Sequence, residues 1–189
     1  LGAADYGSLF HASISHFFEL LEKRHLNWRE ITDTQRNQLV EESVAKAMEE
    51  YQTTVFDSSA RNKSMAGRIR RMTDRTLWAL GCQWEHGAYE KTWHELDFGR
   101  AGGNGVTLPV EEGLELSLRG RIDRVDFAEE DGSLYVKVID YKSGSTKLDL
   151  GKVYYGLQLQ LVLYLEAAMA MAAKRNPNRK LIPAGIYYY

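Results

Sequence analysis

Three charged residues near the middle of the chain have types and a spacing that suit chemistry on phosphate. Asp140 and Lys142 close a β-like run, and because side chains alternate along a strand they share one face. Asp123 stands in the β-like run before them. Two carboxylates at the end of an apolar face repel each other, and a divalent cation suits such a pair better than one lysine does. Mg²⁺ prefers oxygen ligands and binds substrate phosphates, so the trio predicts metal-assisted phosphoryl chemistry, with Lys142 stabilising charge on the phosphate.

A β-hairpin is the element that must bring these residues together. The segments Glu115 to Phe127 and Leu134 to Lys142 read as strands on either side of an Asp-Gly turn. We expect the last residue of the first segment to face the first residue of the second. That register places Asp123 opposite Val138 and diagonal to Asp140 on one face. A slip of one residue would move Asp123 to the other face.

A purely structural alternative stays open for the same residues. In it, Asp140 and Lys142 form an ordinary ion pair, and Asp123 pairs with Arg121 or Arg124. The Asp-x-Lys spacing taken alone favours this alternative, because that spacing is common by chance.

A helix predicted over roughly Val153 to Lys174 adds two polar residues to the argument. Gln160 and Tyr164 are four residues apart on this otherwise apolar segment, so they lie on one helix face. Hydrogen bonding beside the carboxylates would explain Gln160 and Tyr164 on this face. Exposure of the helix edge to solvent explains them equally well.

The order of elements indicates the fold class. Residues 1–87 are mainly helical, whereas residues 88–189 contain the strands and one more helix, which indicates an α/β domain with a central mixed sheet. The chain starts at Leu1 and stops at Tyr189 inside a strand-like run. We therefore expect residues 1–189 to be a single-domain fragment of a larger protein.

Composition limits the class of protein. Hydrophobic residues make up 44% of the chain and the net charge is −2, so any surface for nucleic acid must be local. No apolar run approaches the roughly 20 residues that span a bilayer, so we expect no membrane partner. Cys82 is the one cysteine, which excludes an internal disulfide framework and favours a cytoplasmic location.

Two basic groups are candidates for contact with DNA phosphates. One lies between residues 61 and 75, the other follows the predicted site strand, and a solvated face explains several of their members equally well. The candidates are Arg61, Arg68, Arg71, Arg75, Lys147 and Lys152. Tyr154 and Tyr155 could stack on the bases of single-stranded DNA.

Three short motifs together carry a family resemblance. They are Gly120-Arg-Ile-Asp-Arg-Val-Asp126, Ile139-Asp-Tyr-Lys-Ser-Gly144 and Gln160-Leu-Val-Leu-Tyr164, and in this order they resemble the RecB-type branch of the PD-(D/E)XK nucleases. The segment Asp5-Tyr-Gly-Ser-Leu-Phe-His11 resembles that branch's N-terminal Gly-x-x-x-His motif. The stretch Ser58-Ser59-Ala-Arg61 and the later stretch from Arg71 to Leu80 are similar to the AddB-type subgroup.

The resemblance implies a restriction-endonuclease-like core with an N-terminal helical extension, and a Mg²⁺-dependent deoxyribonuclease that also accepts Mn²⁺. It implies that residues of four motifs form the active site. The metal ligands would be His11, Asp123, Asp140 and the Tyr141 carbonyl, and the other site residues would be Lys142, Gln160 and Tyr164.

The resemblance also implies a larger context. That context is a helicase–nuclease with an AddA-like partner subunit, which degrades unwound single-stranded DNA ends and processes double-strand breaks for recombinational repair. An iron–sulfur cluster is compatible with the full-length protein, but the four flanking cysteines of the subgroup are not in this chain, so we expect none here. Two alternatives remain: a CRISPR-associated or stand-alone RecB-like exonuclease, and a catalytically inactive DNA-binding or scaffolding module.

Overall fold

The computed structural model describes residues 3–52, 60–99, 106–111, 114–144 and 146–189. The chain divides into two compact units, Leu1–Gly87 and Ala88–Tyr189. The first is helical and the second is built on β-sheets. Within the described ranges, no helix combines the length and the apolar character that crossing a membrane requires.

The helical unit contains α1 (Ala3–Lys23), α2 (Asp33–Gln52) and α3 (Ala60–His86). Each helix buries one stripe of side chains at helical spacing, as the buried positions 65, 69, 73 and 77 of α3 illustrate. Helix α1 packs against both α2 and α3. Trp28, which follows α1, stacks with Trp84 near the end of α3 at 6.1 Å between ring centroids.

The second unit contains one four-stranded and one two-stranded sheet. Its elements are β1 (Tyr89–Phe98), β2 (Val106–Glu111), β3 (Leu114–Leu118), β4 (Gly120–Glu130), β5 (Ser133–Asp140), α4 (Leu150–Tyr154), α5 (Gln160–Arg175) and β6 (Lys180–Tyr188). The larger sheet has the order β1-β4-β5-β6, and the smaller one pairs β2 with β3. The pairs β1/β4 and β4/β5 are antiparallel and β5/β6 is parallel, so the predicted mixed sheet is confirmed.

Helix α5 packs on the four-stranded sheet and closes a hydrophobic core with it. The helix contributes several small residues, and the sheet contributes branched and aromatic ones. The core includes Val125, Phe127, Val136, Val138, Leu161, Ala167, Ala168, Met171 and Ala172, all buried. This packing sets the first turn of α5 over one end of β4 and β5, which is the end that carries the predicted site.

The hairpin of β4 and β5 is two residues out of the predicted register. Phe127 lies opposite Val136, not Leu134. Because side chains alternate with a period of two, an even shift leaves every residue on its predicted face. The ladder continues from Arg124 opposite Ile139, and one further step sets Asp123 directly across from Asp140 instead of diagonal to it.

A tight turn explains the register. Glu130 pairs with Ser133, so only Asp131 and Gly132 form the connection. Both have positive φ, 48° and 72°. This is the type I′ conformation, whose twist matches that of the strands it joins. The predicted register left a longer loop between the strands.

Two predicted elements are interrupted. The strand predicted from Glu115 to Phe127 breaks at Arg119, so that β3 belongs to the small sheet and β4 to the large one. The helix predicted from Val153 to Lys174 was wrong as one element, because residues 155–159 leave the helical path between α4 and α5. Gly156, with a φ of 76°, lies in this break.

Candidate active site

Asp123 and Asp140 lie on neighbouring strands at one end of the sheet. Both carboxylates are buried, with 7% and 2% of the residue exposed. The backbone N–H of Tyr141 donates to Asp123 Oδ2 at 2.7 Å, so the Asp123 side chain reaches across to the strand that carries Asp140. Burial raises the pKa of Tyr164 on α5, and the charges of Asp140 and Asp123 raise it further. The pairing of β4 with β5 and the hydrogen bond from Tyr141 to Asp123 bring the two carboxylates to one end of the sheet.

Lys142 places its ammonium group beside one of these carboxylates. Its Nζ lies 2.5 Å from Asp140 Oδ2, and it also donates to Gln160 Oε1 at 3.2 Å. The ring of Tyr188, on β6, lies 5.4 Å from the same nitrogen. The ammonium group is thus held from three sides while about a quarter of the side chain (27%) stays exposed.

The first turn of α5 joins the charged residues through amide and hydroxyl groups. Gln160 Nε2 donates to Asp140 Oδ1 at 3.2 Å and to the Tyr164 hydroxyl at 3.0 Å. Gln160 Oε1 accepts a hydrogen bond from Lys142 Nζ, so the Gln160 side chain contacts both members of the Asp140–Lys142 ion pair. The structure therefore brings together Asp123, Asp140, Lys142, Gln160 and Tyr164.

Two residues that support Tyr164 were not singled out from the sequence as site residues. Phe98, at the end of β1, meets the Tyr164 ring edge-on at 5.8 Å between centroids. Gly120 starts β4 next to this pair, and a Cβ there would lie 2.8 Å from Phe98 Cζ. The lack of a side chain at Gly120 therefore lets the rings of Phe98 and Tyr164 pack over the start of β4.

A second charged group, also missed from the sequence, is buried on the opposite face of the sheet. Arg124 donates to both oxygens of Asp126, at 2.5 and 3.2 Å, and Lys137 Nζ lies 3.0 Å from Asp126 Oδ2. Burial alone would lower the pKa of Arg124, but its interactions with Tyr141 and Asp126 outweigh burial and raise it. His94, across from Arg124 on β1, has its pKa lowered to about 3 by burial and by Arg124.

The arginines named in the structural alternative have other carboxylate partners. Arg121 pairs with Glu95 at 2.8 Å, and Arg124 pairs with Asp126. The Asp140–Lys142 ion pair of that alternative is present. The Asp140–Lys142 ion pair is thus part of the site. Its presence is compatible with metal binding by the carboxylates of Asp123 and Asp140.

The donor atoms at the site suit a divalent cation. Two buried carboxylates face one ammonium group, so these three groups carry an excess of one negative charge. Over the described ranges, no cluster of three or more His, Cys, Asp or Glu residues is placed to hold a metal. A cation bound here would therefore use the carboxylates of Asp123 and Asp140 together with other oxygens. The Tyr141 carbonyl, between Asp140 and Lys142 in the chain, remains the predicted third ligand.

The remaining predicted site residues lie in α1, in α3 and in the segment that follows β5. His11 is in α1, where its ring lies 6.1 Å from that of Phe10, and its role as a metal ligand stays a prediction. Arg71 and Arg75 are exposed on α3, and so is Arg68, whose guanidinium lies 5.2 Å from the ring of Tyr6. Lys147 and Lys152, which follow β5 in the chain, are exposed. The side chain of Arg61 is outside the described part of the chain.

The family model of the PD-(D/E)XK nuclease superfamily matches residues 1–189. The chain is 43% identical over 185 residues to a protein of Lachnoclostridium phytofermentans whose name describes a subunit of an ATP-dependent helicase/deoxyribonuclease, with 98% of this chain and 15% of that protein covered. Proteins of the same name from Alkaliphilus oremlandii and Caldanaerobacter subterraneus subsp. tengcongensis are 33% and 35% identical, with 100% and 98% of this chain covered and 16% of each relative.

The chain thus spans about one sixth of the length of the curated relatives that it matches. Their shared name, which denotes AddB, confirms the predicted resemblance to the AddB-type subgroup. The mixed sheet with flanking helices and the helical N-terminal unit agree with the predicted restriction-endonuclease-like core and its extension. By its match over the whole sequence, the chain belongs to the PD-(D/E)XK nuclease superfamily.

Proposed function

We propose that this nuclease domain hydrolyses phosphodiester bonds of unwound single-stranded DNA in the bacterial cytoplasm, with a divalent cation bound at Asp123 and Asp140. The observation that carries the proposal is the convergence of two buried carboxylates and one ammonium group at the end of β4 and β5. Converging carboxylate oxygens are the ligands that a divalent cation such as Mg²⁺ prefers. The relatives are named for an ATP-dependent helicase/deoxyribonuclease, and that name supports DNA as the substrate.

The side chains of the site have distinct roles in this proposal. A divalent cation held by Asp123, Asp140 and the Tyr141 carbonyl would polarise a phosphate oxygen and lower the pKa of water. The ammonium of Lys142, fixed by Asp140 and Gln160, stabilises negative charge that develops on the phosphate. Tyr164 orients the Gln160 amide through its hydroxyl. Oxygen ligands favour Mg²⁺, and a contribution from His11 would allow Mn²⁺ as well.

Cleavage of labelled single-stranded DNA tests the proposal directly. We expect the wild-type chain to cut it with Mg²⁺ or Mn²⁺, chelator to stop the reaction, and Asp140→Asn to be inactive. The matched control is Asp131→Asn, which removes the same charge from an exposed position in the same hairpin and leaves cleavage unchanged. Binding of DNA by wild type and Asp140→Asn without cutting by either would favour the inactive binding module instead.

A second experiment addresses the setting of the domain. We propose that it works within a helicase–nuclease that processes double-strand breaks for recombinational repair, together with an AddA-like subunit. Degradation of duplex DNA should then require that partner together with ATP, while single strands need neither. ATP-independent digestion of duplex ends by the protein alone would favour the stand-alone RecB-like exonuclease.

A further inference from the structure

The segment of residues 146–159, called the arm below, begins and ends beside the site. It comes after β5 and Lys142 in the chain and leads into α5 at Gln160. Those two side chains are hydrogen bonded to each other, Lys142 Nζ to Gln160 Oε1 at 3.2 Å. Whatever binds at the base of the arm is therefore next to the ammonium group and the carboxylates.

Specific hydrogen bonds hold the arm in shape. Asp149 caps the short helix α4 by accepting from the backbone of Gly151 and Lys152 at 2.9 and 3.2 Å. The Gln158 side chain accepts from the Asp149 N–H at 2.9 Å and donates to the Lys147 carbonyl at 3.0 Å. One glutamine thus bridges the outgoing and returning halves of the arm, which gives its surface a defined geometry.

That surface is unusually apolar for one that faces solvent. Helix α4 buries no residue. Tyr154 and Tyr155 are 84% and 77% exposed, and Leu150 and Leu157 are 75% and 76% exposed. A contiguous exposed apolar patch on a protein marks an interaction site. The two tyrosine rings meet edge-on, 5.2 Å apart and at 84° to each other.

The charge of the arm favours nucleic acid as the occupant. Lys147 and Lys152 are exposed, whereas the carboxylate of Asp149 is engaged as the helix cap. Exposed aromatic rings beside lysines are the combination that binds single strands, since rings stack on bases and lysines neutralise phosphates. In a duplex the base faces are covered by their neighbours, so such a surface discriminates between the two forms of DNA.

We propose that the arm is a stacking platform for single-stranded DNA, in which Tyr154 and Tyr155 hold bases and Lys147 and Lys152 hold phosphates next to the site. This inference rests on the proposed nuclease function, because it takes the strand to be the substrate. It adds a binding surface and a reason for single-strand preference.

The test compares affinity and chemistry in matched variants. Fluorescence anisotropy with a short labelled oligonucleotide measures binding in the cleavage-dead Asp140→Asn background. Tyr154→Ala/Tyr155→Ala should weaken single-strand binding by about 5- to 150-fold per stacked base, with little change for duplex DNA. Tyr154→Phe/Tyr155→Phe retains the rings and should bind like the parent. Leu157→Ala removes an equally exposed apolar side chain from the arm and should also bind like the parent.

Two further readouts separate the platform from the chemistry. Replacing Lys147 or Lys152 by alanine should reduce the slope of log affinity against log salt by about 0.7 for each lost phosphate contact. With Asp140 intact, the double alanine variant should lose less of the cleavage rate on an abasic oligonucleotide, which offers no ring to stack, than on the normal oligonucleotide.

Single-strand affinity within twofold of the parent in the double alanine variant would overturn the inference and leave the patch as a protein-docking surface. Failure of the wild type to hydrolyse either substrate would instead overturn the proposed nuclease function, while the anisotropy data would still decide the platform.

Discussion

The two faces of the four-stranded sheet both bury charge, and they do so with opposite balance. On the α5 face, two carboxylates meet one ammonium group at the end of the strands. On the other face, one carboxylate, Asp126, meets the guanidinium of Arg124 and the ammonium of Lys137 in the middle of the strands. Of the residues just named, the first group contains more carboxylates than cationic side chains, and its Lys142 side chain is partly exposed to solvent. The second is enclosed, because Arg124 and Asp126 are 1% and 0% exposed.

Under the proposed function, the difference separates a reactive group from a structural one. Breaking a buried ion pair by removing one partner is strongly destabilising, because the other charge is left buried. Two converging carboxylates favour a bound cation, because an opposite charge nearby stabilises their charged form. The comparison therefore predicts that changes on the Arg124 face alter stability and that changes on the Asp123 face alter catalysis.

The largest effect is expected from Arg124→Met. Removing the guanidinium leaves the Asp126 carboxylate buried with less compensation, which should lower the free energy of unfolding by about 3–5 kcal/mol. Urea denaturation followed by circular dichroism measures the change. Arg121→Met on the same strand removes an exposed pair with Glu95 and should cost no more than about 1 kcal/mol. Equal losses in the two variants would contradict the structural role of the enclosed group.

Asp123→Asn should have the converse effect. The amide oxygen can still accept from the Tyr141 N–H, so the free energy of unfolding should change by less than about 1 kcal/mol. Cleavage of single-stranded DNA should fall by about 10²- to 10³-fold, the usual effect of removing one preorganised electrostatic group. Glu129→Gln, which removes an exposed carboxylate from the same strand, serves as the control. A large loss of stability with cleavage retained would place Asp123 in the structural group.

The pH dependence of stability sharpens the comparison on the Arg124 face. The pKa of His94 is lowered from 6.5 to about 3, chiefly by burial and then by Arg124, with Asp126 opposing. Below about pH 6.5 the unfolded chain therefore binds a proton that the folded chain does not, and stability falls by up to about 1.4 kcal/mol per pH unit. Above that pH the histidine contributes no pH dependence.

Denaturant unfolding between about pH 7.5 and about pH 5 checks this for wild type and His94→Gln. The variant should lose less stability over the acid part of the range. Parallel curves for the two proteins would show that His94 titrates alike in the folded and unfolded states.

The smallest effect is expected from Tyr164→Phe. The hydroxyl accepts one hydrogen bond from Gln160, and the ring contact with Phe98 survives the change. Loss of one such bond is worth about 0.5–1.5 kcal/mol, so cleavage should slow by about two- to tenfold. Tyr135→Phe on β5 is the matched control and should leave the rate unchanged. An effect as large as that of Asp123→Asn would mean that Tyr164 contacts the reacting groups.

The grouping of Asp123, Asp140 and Lys142 could be predicted from the sequence because side chains along a strand alternate with a period of two. Asp140 and Lys142 share a face in any register, and the error of two residues in the hairpin moved Asp123 along its strand without turning it over. Gln160 and Tyr164 were accessible for the same kind of reason, since a spacing of four puts two residues on one helix face.

Other features depend on contacts that no local pattern reveals. Leu157 and Leu159 continue the apolar spacing of α5, so the chain reads as one helix where the Gln158 side chain instead bonds back to residues 147 and 149. Arg124 and Asp126 alternate as an outward polar face would, and only the folded chain shows them enclosed. The metal-binding role of His11 and the DNA contacts of the arginines on α3 stay predictions.

The connection at Asp131 and Gly132 has a practical consequence for anyone who engineers this protein. Both residues of the turn are exposed, and the buried faces of β4 and β5 hold the register of the two strands. A spectroscopic label or affinity tag inserted between Asp131 and Gly132 would therefore lengthen the loop at a small entropic cost and leave the strand pairing in place. The hairpin tip is thus a tolerant attachment point for such cargo.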